Sequence, residues 1–109
     1  MTVIELVEAS GFKAVTLPAP EKKIDGVYIG DLLSWVMGNA NSSNLWITIM
    51  SNINTVAVAT LVDVSCILFA EGVMPDDALI KTAQEKGVNL LSTNLSAYEA
   101  AIKIHGILN

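Results

Sequence analysis

Short apolar runs recur along the chain, each closed by glycine or by small polar residues, and each leads into a segment patterned as a helix. Val27-Tyr28-Ile29, Leu45 to Met50, Cys66 to Ala70 and Val88 to Ser92 are rich in β-branched and large apolar residues and bounded by breakers, which predicts four strands. The intervening segments carry helix signals. Leu32 to Met37 follows Gly30-Asp31, and Thr55 to Val62 follows the polar stretch Ser51-Asn52-Ile53-Asn54. Pro75-Asp76-Asp77 opens a helix with acids near its positive end, and Lys86-Gly87 closes it with a basic turn and a glycine stop. Ser96 to Glu99 has the spacing of a capping box and opens a helix to about Leu108. Ahead of these units, Thr2 to Glu5 is another capping box, predicting a short helix that ends near Ser10-Gly11. Phe12 to Leu17 reads as a strand, and Pro18 to Lys23 as a polar connection.

Strand and helix thus alternate four times with short connections. Parallel strands need crossovers of about this length, so the pattern predicts a three-layer α/β/α domain, a mostly parallel central sheet with helices on both faces. The whole of 1–109 reads as one such domain, with no internal repeat and no low-complexity segment.

Composition adjusts this picture in two ways. The chain is 52% hydrophobic and 16% charged, with a mean hydropathy of +0.54. So apolar a composition in a small domain implies strands covered on both faces, or a surface buried against a second copy, and we expect both. Net charge is −5; all six basic residues are lysines and only Lys22-Lys23 are adjacent. No basic stripe is available to displace the counterions of a nucleic acid, and an anionic membrane would be repelled. Val56 to Ala70, the longest apolar stretch, is interrupted by Thr60, Asp63 and Ser65 and is too short to span a bilayer. Met1 to Glu5 has no basic region and no apolar run of a signal peptide, so a cytoplasmic location is expected. Cys66 is the single cysteine; it excludes an internal disulfide and reads as a small buried hydrophobe.

In an open α/β sheet, ligands bind beyond the carboxyl ends of the strands. Four polar turns fall there: Gly30-Asp31 with Ser34, Ser51 to Asn54, Glu71-Gly72, and Ser92 to Asn94 with Ser96. The candidate ligand-binding residues are therefore Gly30, Asp31, Ser34, Ser51, Asn52, Asn54, Glu71, Gly72, Thr93 and Ser96. The competing reading is that Asp31, Asn52 and Ser96 only cap helices and that Gly30 only makes a tight turn. No phosphate loop, dinucleotide fingerprint or nucleophile elbow is present, so no catalytic residue and no cofactor is assigned. One histidine, His105, and one cysteine cannot build a metal cluster, and His105 reads as a surface residue near the end of the last helix. Trp46 reads as core, whereas Trp35, beside Met37, reads as an oligomer anchor.

Taken together, Tyr28 to Ser34, Leu45 to Thr48, Ile67 to Gly72 with Pro75, Gly87 to Thr93 and Ser96 to Glu99 resemble a stand-alone DRTGG domain over 24–108. Such domains sit beside CBS domains in regulated pyrophosphatases and in phosphotransacetylase-like proteins, and a similar fold forms the amino-terminal domain of HPr kinase/phosphorylase. The Asp-Arg of the family motif should fall near Met50-Ser51-Asn52, where this chain has neither residue. The Thr-Gly-Gly portion corresponds to Ala70-Glu71-Gly72, which keeps one glycine. What the resemblance implies is a regulatory or dimerisation domain without kinase chemistry.

The sequence thus favours a non-catalytic module that forms a homodimer and senses a small metabolite or docks a protein partner. Its total lack of arginine favours a small or weakly charged ligand over a polyanion. A purely structural dimerisation subunit is the first alternative. A small enzyme using Asp31 and Glu71 as paired carboxylates is the second, and it needs both in one pocket.

Overall fold

The computed structural model describes residues 1–108. Its elements run α1 (Val3–Ser10), β1 (Lys13–Thr16), β2 (Val27–Ile29), α2 (Leu33–Asn39), β3 (Leu45–Thr48), α3 (Ile53–Val62), β4 (Cys66–Phe69), α4 (Asp77–Lys86), β5 (Leu90–Ser92) and α5 (Ala97–Leu108). The five strands form one sheet in the order β1-β5-β4-β3-β2. All neighbours are parallel except β1, which pairs antiparallel with β5 and shifts register between Ala14 and Thr16. The expected α/β architecture is therefore present, with one antiparallel edge.

Alternation along the strands divides the core into two layers. Leu45, Ile47, Cys66, Leu68 and Leu91 face α1 and α5 and pack with Leu6 and Ile104. Trp46, Ile67, Phe69 and Leu90 face α2, α3 and α4 and pack with Val36, Val56 and Leu79. The central strands β3 and β4 are buried at every position, which is why they read as unbroken apolar runs.

The distribution of helices follows from strand order. From β2 to β5 the chain steps always in one direction across the sheet. Right-handed crossovers in a one-directional order carry every connecting helix to the same face. Hence α2, α3 and α4 share one layer, and the opposite face is covered by α1 and α5, which contact each other.

The helix starts are fixed locally. Thr2 and Glu5 form the expected capping box, with the Thr2 amide donating to Glu5 Oε1 at 2.8 Å. The bonds from the Thr2 backbone and hydroxyl hold the Glu5 carboxyl below its ordinary pKa. Ser96 and Glu99 repeat the motif at α5, where the backbone bond at Ser96 and its hydroxyl lower Glu99 in the same way. Asp76 caps α4 by accepting from the Leu79 amide, so Pro75 lies just before the cap rather than in the first turn.

The amino ends of the parallel strands are closed by buried amides and a hydroxyl. Asn89 is fully buried; its Nδ2 donates to the Ala19 and Ser65 carbonyls and its Oδ1 accepts from the Ala19 amide. Ser65 donates to the Lys23 and Ser43 carbonyls, and Asn44 to that of Asp25. Among the described residues, no buried side-chain nitrogen or oxygen lacks a partner. These polar groups stitch the proline-containing connection to the sheet. Among the described residues no helix is long and apolar enough to cross a membrane.

Candidate functional site

Four turns leave the sheet at its carboxyl edge, and each does a different job. The first follows β2. Gly30 does not adopt a left-handed backbone; its value is space, because a Cβ would lie 3.0 Å from the Tyr28 ring and 3.3 Å from Val36. The Trp46 indole N–H donates to the Gly30 carbonyl at 2.8 Å, so the turn is held against a core side chain. Asp31 is not the cap of α2. The capping position is Leu32, which offers no side-chain acceptor. Asp31 Oδ1 instead accepts from the Thr48 hydroxyl at 2.8 Å and the Ile49 amide at 3.0 Å. The helix begins one residue too late for the aspartate to occupy its capping position, and the end of β3 supplies competing donors. Asp31 therefore ties the β2 turn to the β3 turn. Ser34 lies exposed in the first turn of α2.

The second turn contains a true cap. Asn52 Oδ1 accepts from the Asn54 and Thr55 amides, and Thr55 Oγ1 accepts from the Asn52 amide. Ser51 and Asn52 line a small cleft of about 210 Å³ shared with Asp76 at the start of α4.

The third and fourth turns are joined to one another. The Glu71 amide donates to the Leu95 carbonyl at 2.8 Å, and the Gly72 amide to the Thr93 carbonyl at 2.9 Å. This pairing needs left-handed backbone at both residues, φ 59° at Glu71 and φ 74° at Gly72. A Cβ at Gly72 would also lie 3.1 Å from Asn94 Oδ1, which explains the glycine on two counts.

A larger cleft, about 470 Å³, opens beside this joint. Gly72 and Met74 come from the turn after β4, and Ser92 to Leu95 from the end of β5; the α1–β1 turn supplies Gly11, β1 supplies Lys13 and α5 supplies Lys103. Its place in the topology is specific. The chain leaves β4 toward α4 on one face and leaves β5 toward α5 on the other, so the adjacent strands β4 and β5 form the switch point of the sheet. In open α/β sheets that crevice is where ligands bind. The Lys103 ammonium stands 5.7 Å from the Phe12 ring centroid, a cation–π contact that holds it at the rim.

The structure thus brings Gly72 and Thr93 into one cleft, puts Ser51 and Asn52 in another, and uses Asp31 and Ser96 for internal bonds. Asp31 and Glu71 lie at the ends of β2 and β4 with β3 between them, and Asp31 is bound to β3. This is not a paired-carboxylate geometry. Among the described residues, no group of three or more His, Cys, Asp or Glu side chains could hold a metal ion. Lys13 and Lys103 are charged cleft residues outside the four turns marked by the sequence, and Asn94 lies in the fourth of those turns without being one of its candidate residues. The two lysines sit at opposite ends of the chain, and only the antiparallel docking of β1 against β5 brings them together.

The geometry defines a mixed α/β/α domain with a polar crevice at its switch point. The fold is similar to a solved structure, the CBS and DRTGG domains of the regulatory region of Clostridium perfringens pyrophosphatase, complexed with its activator diadenosine tetraphosphate. The likeness has a TM-score of 0.71 at 14% identity, over 91% of this chain and 44% of that one. This chain therefore spans less than half of the regulatory region it matches, and the DRTGG resemblance read from the sequence is matched at the level of the fold. No protein-family model and no curated protein matches the chain.

Proposed function

We propose that this chain is a non-catalytic regulatory module that self-associates and senses a small metabolite in the crevice at the end of β5. The observation that carries the reading is the fold likeness to a regulatory region over 91% of this chain. The side chains support it. The carboxylates at the strand ends serve as internal bond acceptors or stand apart, and Cys66 is buried with its thiol pushed up to about 12 by burial, which makes it inert as a nucleophile. A regulatory domain needs a ligand-accessible crevice on a rigid frame, and the joined turns after β4 and β5 provide that frame.

The test is a thermal-denaturation screen of the full chain against nucleotides, sugar phosphates, organic acids and amino acids. A ligand present at ten times its Kd is expected to raise the Tm by roughly 5 °C. A folded sample that no compound stabilises counts against metabolite sensing. Turnover of any compound by the purified chain counts against a non-catalytic role.

A further inference from the structure

Resting on that regulatory reading and deepening it, we propose that the switch-point crevice takes a compact anion, a metabolite bearing one phosphate or carboxylate group, held between Lys13 and Lys103. The first support is the distribution of charge. The chain has 11 carboxylates against six lysines, yet two of those lysines and no aspartate or glutamate line this cleft. Glu71 flanks the cleft without lining it. The other basic side chains are spread elsewhere, Lys22 being paired with Asp63 at 2.9 Å.

The second support is construction. Lys13 is the first residue of β1, and Lys103 is carried by α5. The sheet edge and the helix are thus independent supports that aim cations at one space. Lys103 is positioned by the Phe12 ring, so less side-chain freedom is lost when an anion arrives. The floor between them is the joined pair of turns, with the Asn94 amide and the Thr93 hydroxyl as neutral polar groups beside the cations. The third support is size. About 470 Å³ admits a small metabolite but suits a single anionic group better than an extended polyphosphate, which two lysines could not neutralise. The site is open to solvent, so its attraction is screened by salt and binding should weaken as ionic strength rises.

The experiment is an amide chemical-shift titration of the full chain with inorganic phosphate, with propionate, and with glycerol as an uncharged control. Phosphate alone active would identify a phosphate site, propionate alone a carboxylate site; both support the assignment. Saturable shifts are expected at Gly72, Thr93 and Asn94, with glycerol silent. Lys13→Gln and Lys103→Gln should each weaken binding roughly tenfold, with Lys81→Gln, on the exposed face of α4, as the control. Folding of each variant is checked by the unmoved remainder of its spectrum. Shifts centred away from the cleft, equal weakening by Lys81→Gln, or no saturable shift with either anion would overturn the assignment. If a neutral compound from the thermal screen stabilises the chain while both anions leave these amides unmoved, the anion proposal fails and the regulatory reading stands.

Discussion

Asp31 shows how a residue can be correctly located in a sequence and wrongly employed. A Gly-Asp pair after an apolar run signals a turn, and an aspartate before a helical segment suggests a cap; both inferences are local. Thr48 and Ile49 are remote in sequence, and they, not the helix amides, are the donors it satisfies. Asp31→Ala should therefore cost about 1–2 kcal/mol in urea unfolding, because Thr48 is buried and loses its acceptor. In a double-mutant cycle with Thr48→Val the two losses should overlap; simple additivity would return Asp31 to a role in α2. Asn52, Ser96 and Thr2, whose partners lie within three residues, were legible for the same reason that Asp31 was not. Cys66 gives a prediction in pH. Its thiol stays neutral in the folded chain up to about 12, against an ordinary value of 9.0, while the unfolded thiol ionises near that ordinary value. The unfolded state thus binds fewer protons above pH 9, so stability contributed by Cys66 is complete below that pH and falls as pH rises toward 12. Comparison with Cys66→Ala isolates the effect, since the variant should lack that part of the slope between pH 9 and 10.

At the scale of elements, the strands that were easiest to read are those buried on both faces, and the hardest fact to read was which strands stand at the edges. β1 and β2 do, and β2 is the less protected: Val27-Tyr28-Ile29 pairs with β3 on one side only and carries neither a charge nor a proline. Such an edge is open to pairing with another chain. Val27 and Ile29 remain exposed beside Tyr98 and Ile102 of α5, in an apolar groove of about 530 Å³. Past the end of the strand, Leu32 is 67% exposed and Trp35 63% exposed. The sequence singled out Trp35 as an oligomer anchor from residue type alone; its exposure, together with the unprotected edge, supports placing self-association there. Light scattering of the full chain at micromolar concentration should report a dimer, and Ile29→Glu or Trp35→Ser should shift it to monomer with the melting behaviour of the separated chain retained. A monomeric parent chain, or a dimer that both substitutions leave intact, would contradict that surface.

At the scale of the whole molecule, alternation of strand and helix was enough to predict the layers, because every parallel pair needs a crossover. It was not enough to predict that β1 docks antiparallel beside β5, since that contact joins segments distant in sequence and rests on α1 packing against α5. The consequence for function is direct. The sequence spread its candidates over four turns, whereas topology puts the switch point between β4 and β5 and adds Lys13 and Lys103 to its rim. One measurement tests this most directly: a crystal structure of the chain bound to the compound that raises its Tm most. That compound is expected chemically intact, over the carboxyl end of β5 and between the turns at Gly72 and Asn94. A converted product, or an occupant seated at Gly30-Asp31 with that crevice empty, would contradict it.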